Sequence, residues 1–221
     1  MLELENVHVS LRGFPILRGV SLEVPAGRII GLVGRNGAGK TTTLRAIMGL
    51  APVRSGAIRF AGEDLTRLPA HRRAGLGIGY VPEDRRLIGP LTVEENLLLP
   101  AWAIGMREAP DRLRWIYRLM PEVQELAGRR AAQLSGGQQK MVALARALMA
   151  GSRLLLLDEP FEGLSPALAL RIGEILQVLR SEGLGVLLAE SDLHRVSALA
   201  ERVYTIERGE IVQENASIGG I

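Results

Sequence analysis

Residues 34 to 41 read Gly-Arg-Asn-Gly-Ala-Gly-Lys-Thr, the pattern Gly-x-x-x-x-Gly-Lys-[Ser/Thr]. Its neighbours limit what the chain can fold into. An apolar, β-branched run from Arg28 to Val33 precedes it, and a segment of helical composition, Lys40 to Met48, follows and stops at Gly49. A strand entering a glycine turn and leaving as a helix is the opening unit of an α/β sheet. Glycines let the turn's amides wrap phosphate oxygens, and the helix N-terminus favours negative charge there. Lys40 is then placed for the outer phosphates and the Thr41 hydroxyl for a divalent cation, with Gly34, Arg35, Asn36, Gly37, Ala38, Gly39 and Thr42 forming the cradle. The competing reading, a surface turn with one lysine, is weakened by composition. Among 27 basic residues only Lys40 and Lys140 are lysine. Arg otherwise fills these positions, so a retained Lys points to work that a planar guanidinium cannot do.

The rest of the chain fits that opening. Leu2–Val9, Val20–Val24, Ala57–Phe60, Ile78–Val81 and Gly185–Ala189 have strand patterns, and Arg208-Gly209 turns a hairpin. Strand signals vanish between about 83 and 150. Thr92 with Glu95 makes a capping box before Asn96–Leu99, and Ala109–Arg118 and Gly137–Ala150 have helical periodicity. Further helices are expected over Pro166–Arg180 and near Asp192–Ala200, with a loose tail after Val212. The expected architecture is a mostly parallel α/β core, residues 1–83 and 151–221, with a helical subdomain inserted over 84–150. A surplus of 27 basic over 24 acidic residues, evenly scattered, marks no nucleic-acid surface. Without cysteine there are no disulfides and no thiolate chemistry. No apolar run approaches the roughly 20 residues that span a bilayer. The opening MLELENVHV lacks the pattern of a signal peptide, which leads us to expect an intracellular protein.

Leu154–Leu157 is an apolar run that ends in Asp158-Glu159-Pro160, as a buried strand would whose C-terminal end faces the phosphates. Asp158 is suited to holding a metal through water, and Glu159 to polarising an attacking water as general base. Leu134-Ser135-Gly136-Gly137-Gln138-Gln139 opens the helix Gly137–Ala150 and offers a second anion site of amides and a hydroxyl.

LSGGQ between this phosphate loop and an LLLLDEP strand resembles the signature of the ABC ATPases, and the likeness covers essentially the whole chain. It implies a P-loop NTPase (RecA-like) core with an antiparallel β edge and the inserted helical subdomain. It also implies ATP and Mg²⁺, and two subunits closed head to tail so that each ATP lies between one phosphate loop and the other signature. The carry-over assigns catalysis to Glu159, Lys40 and Ser191, and metal binding to Thr41, Asp158 and Glu83. Gly34 to Thr42 and Leu11 bind the nucleotide, and Ser135, Gly136, Gly137 and Gln138 complete the partner's site. VPEDRRLIGPLTVEENL, LRGVSLEVPAG and EGLSP are similar to the ATPases of branched-chain amino acid importers and their amide and urea relatives.

Departures from the family pattern are Glu83 where Gln is usual, Leu11 where an aromatic stacks on adenine (with Phe14 as a substitute), Pro166 where an Asp is usual, and Ser191 at the switch histidine. Ser165 is left without a firm role, and His194, His8 and His71 read as structural. Trp102, Trp115 and Tyr117 are either a small-molecule cluster or packing residues, with packing favoured. Leu87–Leu98 is the candidate contact for a permease. The resemblance thus implies a homo- or heterodimeric ATPase with two transmembrane permease subunits and, indirectly, a substrate-binding protein, without nucleic acid, peripheral on the inner face of the cell membrane. A weakly hydrolysing regulatory subunit and an ABC ATPase outside transport are the alternatives.

Overall fold

The computed structural model describes residues 1–216. Its centre is a six-stranded sheet. In chain order the first three strands are β1 (Leu2–Leu11), β2 (Phe14–Val24) and β3 (Ile29–Val33), followed by α1 (Lys40–Ile47), β4 (Val53–Phe60), β5 (Glu63–Asp64), α2 (Ala70–Gly75) and β6 (Ile78–Val81). Then come the helices α3 (Val93–Ile104), α4 (Ala109–Leu119), α5 (Pro121–Gln124) and α6 (Gly136–Ala150). The chain returns to the sheet with β7 (Leu154–Asp158), α7 (Pro166–Ser181), β8 (Gly185–Glu190), α8 (Leu193–Ser197), β9 (Arg202–Glu207) and β10 (Glu210–Ala216).

The central order is β10-β9-β3-β8-β7-β6, parallel throughout except for the antiparallel β10 at the edge. Strands β3, β7 and β8 are buried along their whole length. Alternation sends Leu154, Leu156, Leu187 and Ile30 to one core and Leu155, Leu157, Val186 and Ile29 to the other, so both faces of the sheet are covered. Removing any of these leucine side chains should cost about 2–5 kcal/mol. The first core lies under a four-stranded antiparallel sheet, β2-β1-β4-β5, and α1. The second lies under α3 to α7.

Several elements differ in extent from the sequence expectation. The tail after Val212 continues as strand to Ala216, in register with Arg202, because β9 offers a free edge; residues beyond 216 lie outside the described part. Helix α3 starts at Val93, directly after the Thr92 and Glu95 capping box, and runs through Pro100 to Ile104. Burial of Val93, Leu97 and Ala101 along one face holds it despite the proline. Helix α8 ends at Ser197, short of Ala200. The short helix α2 has no visible periodicity. It is pinned by buried Arg73, whose guanidinium donates to the carbonyls of Ala46 and Ile47 at the end of α1 (2.9 and 2.6 Å) and of Leu68 (2.8 Å). Ala46 and Ile47 lie in the last turn of α1, where a cation is a natural cap.

Candidate functional site

The loop after β3 lies where two parallel strands end side by side. Val33 is in register with Glu190 of β8, and the Gly34 amide donates to the Glu190 carbonyl (3.3 Å). Gly39 has φ of 117°, which a side chain would strain, and its missing Cβ also makes room for Leu17. It caps α1 without any side-chain bond, so the leading amides of the helix are left for an anion. Gly34, Arg35 and Ala38 shape the loop through their backbones: the Arg35 carbonyl takes the Ala38 amide (3.0 Å), and the Ala38 carbonyl takes the Gly209 amide (2.8 Å).

Lys40 is buried and bends back over this loop. Its ammonium donates to the Gly34 carbonyl at 2.6 Å and the Ser191 hydroxyl at 3.0 Å, and pairs with the Glu159 carboxylate at 3.0 Å. Thr41, the next residue, donates its hydroxyl to Asp158 Oδ1 (3.1 Å), while Tyr80 donates to Oδ2 (3.4 Å). Asp158 is 1% exposed, and burial pushes its pKa up to about 6 against the Thr41 bond, with Glu83 and Glu159 adding to the rise. No three His, Asp or Glu side chains group as a self-contained metal site among the described residues. A threonine hydroxyl touching a carboxylate nevertheless fits Mg²⁺, a hard cation that binds one or two protein oxygens and takes its other ligands from phosphate and water.

Glu159 turns the chain out of β7 with φ of 48°, the left-handed region, and its amide donates to the Ala189 carbonyl (2.9 Å). The carboxylate accepts from the Ser191 hydroxyl (2.6 Å) and the Ser191 amide (3.2 Å). Burial alone would raise its pKa, but bonds from the Glu190 carboxyl, Ser191 and Lys40 outweigh that and hold it lowered. Glu190 shows the reverse. Burial, and then its hydrogen bond to Glu159, push it up to about 8, although it also accepts the Phe161 amide (3.0 Å). One carboxyl thus keeps the proton and the other keeps the charge, the division expected of adjacent acids with unlike partners. Sequence reasoning passed over Glu190. The available signal was an apolar strand ending in an acid, the same pattern that identified Asp158.

Lys40, Thr41, Glu159, Glu190 and Ser191 line one cleft of about 730 Å³, together with Asn36, Gly37, Thr42, Glu83, Leu11 and Ile16, while Asp158 lies behind Thr41 and borders a neighbouring groove with Tyr80 and Arg146. Asn36 lies 3.0 Å from the Ser191 hydroxyl. Leu11 reaches the rim, while Phe14, paired with it across the hairpin, is 72% exposed and does not line the cleft; Ile16 of the same strand does. His194 lies exposed on α8, with its amide capped by Asp192. Ser165 caps α7 through the Leu168 amide (3.4 Å). Trp115 and Tyr117 pack on the helical core, Trp115 under the Arg112 guanidinium and Tyr117 donating to Glu94 (2.9 Å), whereas Trp102 is exposed.

The four signature residues stand outside this cleft. Ser135 caps α6 by accepting the Gln138 amide (3.3 Å), and the Gln138 side chain returns to the Ser135 amide (2.9 Å). The box is exposed and satisfied within itself, and at Gly137 a Cβ would lie 2.6 Å from Leu168 of α7. The structure therefore gathers the phosphate loop, the C-terminal ends of β7 and β8, Glu83 and Leu11, and leaves Ser135 to Gln138 outside the cleft.

A family model described as "ABC transporter" matches residues 17–162. The chain is 40% identical to the high-affinity branched-chain amino acid transport ATP-binding protein BraG of Pseudomonas aeruginosa, over 97% of this chain and 92% of that one. It is 36% identical to the lipopolysaccharide export system ATP-binding protein LptB of Escherichia coli K12 (94% and 87% covered). Its identity to the probable branched-chain amino acid transport ATP-binding protein LivF of Archaeoglobus fulgidus is 35% (96% and 90%). Among solved structures it resembles a dimeric post-hydrolysis state of an ATP-binding cassette with ADP and phosphate, at TM-score 0.87 and 27% identity, with both chains covered completely.

Proposed function

The chain belongs to the ABC transporter family as an ATP-binding and ATP-hydrolysing subunit, and on that premise we propose that it energises an importer of branched-chain amino acids or related amides. One observation carries the hydrolytic reading: Lys40, Thr41, Glu159 and Ser191 meet in a single cleft, with Asp158 hydrogen-bonded behind Thr41, while Ser135 to Gln138, satisfied among themselves, face elsewhere. A second subunit, the same chain or a sister, then supplies the signature over each cleft. A two-fold pair uses that contact twice.

In this reading the amides of the Gly34–Thr42 loop hold the phosphates, and Leu11 with Ile16 gives the base an apolar seat. Thr41, Asp158 and Glu83 would hold Mg²⁺, which would supply charge neutralisation at the phosphates. Lys40 leaves its ion pair with Glu159 for the terminal phosphate. The freed Glu159 carboxylate takes a proton from water as the water oxygen bonds to phosphorus and the bond to the ADP oxygen breaks, giving ADP and phosphate. Ser191, 2.6 Å from Glu159, orients that carboxylate. This placement of Ser191 favours hydrolysis over a merely regulatory role.

We read 84–150 as the subdomain that carries the signature and 1–83 with 151–221 as the core. Among the described residues no helix is long and apolar enough to cross a membrane. By likeness to the transport ATP-binding proteins, we place the chain on the inner face of the membrane beside two permease subunits that provide the translocation path. The permease docks along Leu87–Leu98 and the neighbouring groove lined by Leu50, Glu83, Arg86 and Arg146. A substrate-binding protein acts through the permease, and nucleic acid is not a partner.

The cargo rests on likeness to BraG and LivF. The likeness to LptB makes lipopolysaccharide export the second reading. Purification from native membranes in mild detergent, identification of what comes with the chain, and reconstitution into vesicles decide between them. Two permeases and ATP-dependent leucine uptake are expected. Recovery of export components, or uptake that ignores ATP, would overturn the importer reading.

A further inference from the structure

Of the two lysines, Lys40 belongs to the phosphate loop. Lys140 lies one turn along α6 from Gly136, is 6% exposed, and reaches across to the loop that leaves β7. Its ammonium donates to the Glu159 carbonyl at 2.8 Å and to the Glu162 carbonyl at 2.6 Å. The same loop is tied elsewhere: the Glu162 amide donates to the Glu159 carbonyl (3.3 Å), Arg195 donates to the Phe161 carbonyl (2.9 Å), and the Phe161 amide donates to Glu190 (3.0 Å).

Glu159 sits in the left-handed region at φ of 48°, a conformation that a residue with a Cβ keeps only where its surroundings hold it. Where the Glu159 carbonyl points depends on the ψ of Glu159, so a buried cation fixed on that oxygen also fixes how the residue leaves the strand and where its carboxylate is aimed. A compact ammonium can serve two converging carbonyls in a closed space.

We propose that Lys140 is a positioning residue for Glu159, tying the aim of the chain's own general base to the seating of the helix whose N-terminus it offers to the partner. The inference rests on Glu159 being the base. Burial and the nearby Arg85 guanidinium lower the Lys140 pKa, with Glu162, Glu190 and Glu159 opposing them. The role asked of Lys140 is to donate, not to titrate.

The test is Lys140→Met and Lys140→Gln in the full chain, each alone and combined with Glu159→Gln. For Lys140→Met, kcat should fall on the order of tenfold to a hundredfold, as expected when a reacting group is misaimed. KM for ATP should stay unchanged, and amide exchange over 159–162 should speed up in protein without nucleotide. Lys140→Gln, which restores one donor, should lose less. Added to Glu159→Gln, neither change should slow hydrolysis further, because both act through the same carboxylate; a merely structural defect would multiply instead. Wild-type kcat in Lys140→Met, or losses that multiply, would overturn the proposal. Should Lys140→Met not fold, unchanged kcat in Lys140→Gln overturns it equally. Wild-type turnover in Glu159→Gln would instead remove the base assignment on which the proposal depends, an outcome distinct from an inactive Glu159→Gln beside an unaffected Lys140→Met.

Discussion

The cleft around Lys40 and the N-terminus of α6 are both anion sites in principle, yet they are built in opposite ways. Around Lys40 the charged groups are buried and each is answered by another element: Glu159 from β7, Ser191 after β8, Asp158 against Thr41. At Ser135 the polar groups are exposed and answered only by Gln138, three residues away. Preorganisation inside the chain suits chemistry, because the donors need no rearrangement when charge develops. Local satisfaction on the surface suits an element that must be stable alone and still meet a second chain. On the proposed function, the difference is that of a divided active site: the chain completes the catalytic half and exposes the other.

That contrast orders the expected effects of mutation. Glu159→Gln keeps the shape of the cleft and removes the base. Hydrolysis should fall about 10²- to 10⁴-fold with ATP binding retained, and single-turnover cleavage against nucleotide binding measures both. Ser135→Arg leaves the cleft untouched and blocks the exposed half. Turnover should drop on the order of a hundredfold, while ATP affinity of the lone chain, followed with a fluorescent analogue, stays unchanged. Loss of ATP affinity in that variant would mean that the two halves are not separate. Thr41→Ala removes the hydroxyl on Asp158 and should raise the Mg²⁺ needed for half-maximal rate about tenfold.

The smallest effect concerns pH. Glu190 has its pKa raised from 4.5 to about 8 by burial and then by Glu159, with Lys140 and Arg195 also facing it. A group raised in the folded state stabilises it fully below the unfolded value, and this contribution is lost as pH climbs through the folded one. The melting temperature should therefore decline between about pH 4.5 and 8 from this group. Glu190→Gln should flatten that decline, whereas an unchanged slope would place the proton elsewhere.

How much of this was legible in the sequence follows from how each element is specified. Strands β3, β7 and β8 are short apolar runs buried on both faces, so composition alone marks them. The phosphate loop is a spacing of glycines and one lysine that few other structures need. The Thr92 and Glu95 box gave the start of α3, but its passage through Pro100 depends on tertiary burial of Leu97 and Ala101. Helix α2 is too short for periodicity and is held by Arg73 from outside. In the site, residue identity identified Asp158 and Glu159. The left-handed turn at Glu159, the proton kept on Glu190 and the reach of Lys140 depend on which strands and helices lie side by side, which one sequence does not state.

Mixing Glu159→Gln chains with Ser135→Arg chains tests the divided site most directly. Each alone should be nearly inactive. In the mixed pair one site combines an intact base with an intact signature, so an equal mixture should recover about a quarter of wild-type hydrolysis, half the pairs being mixed and each holding one whole site of two. No recovery in a mixture shown to form mixed pairs would contradict the account.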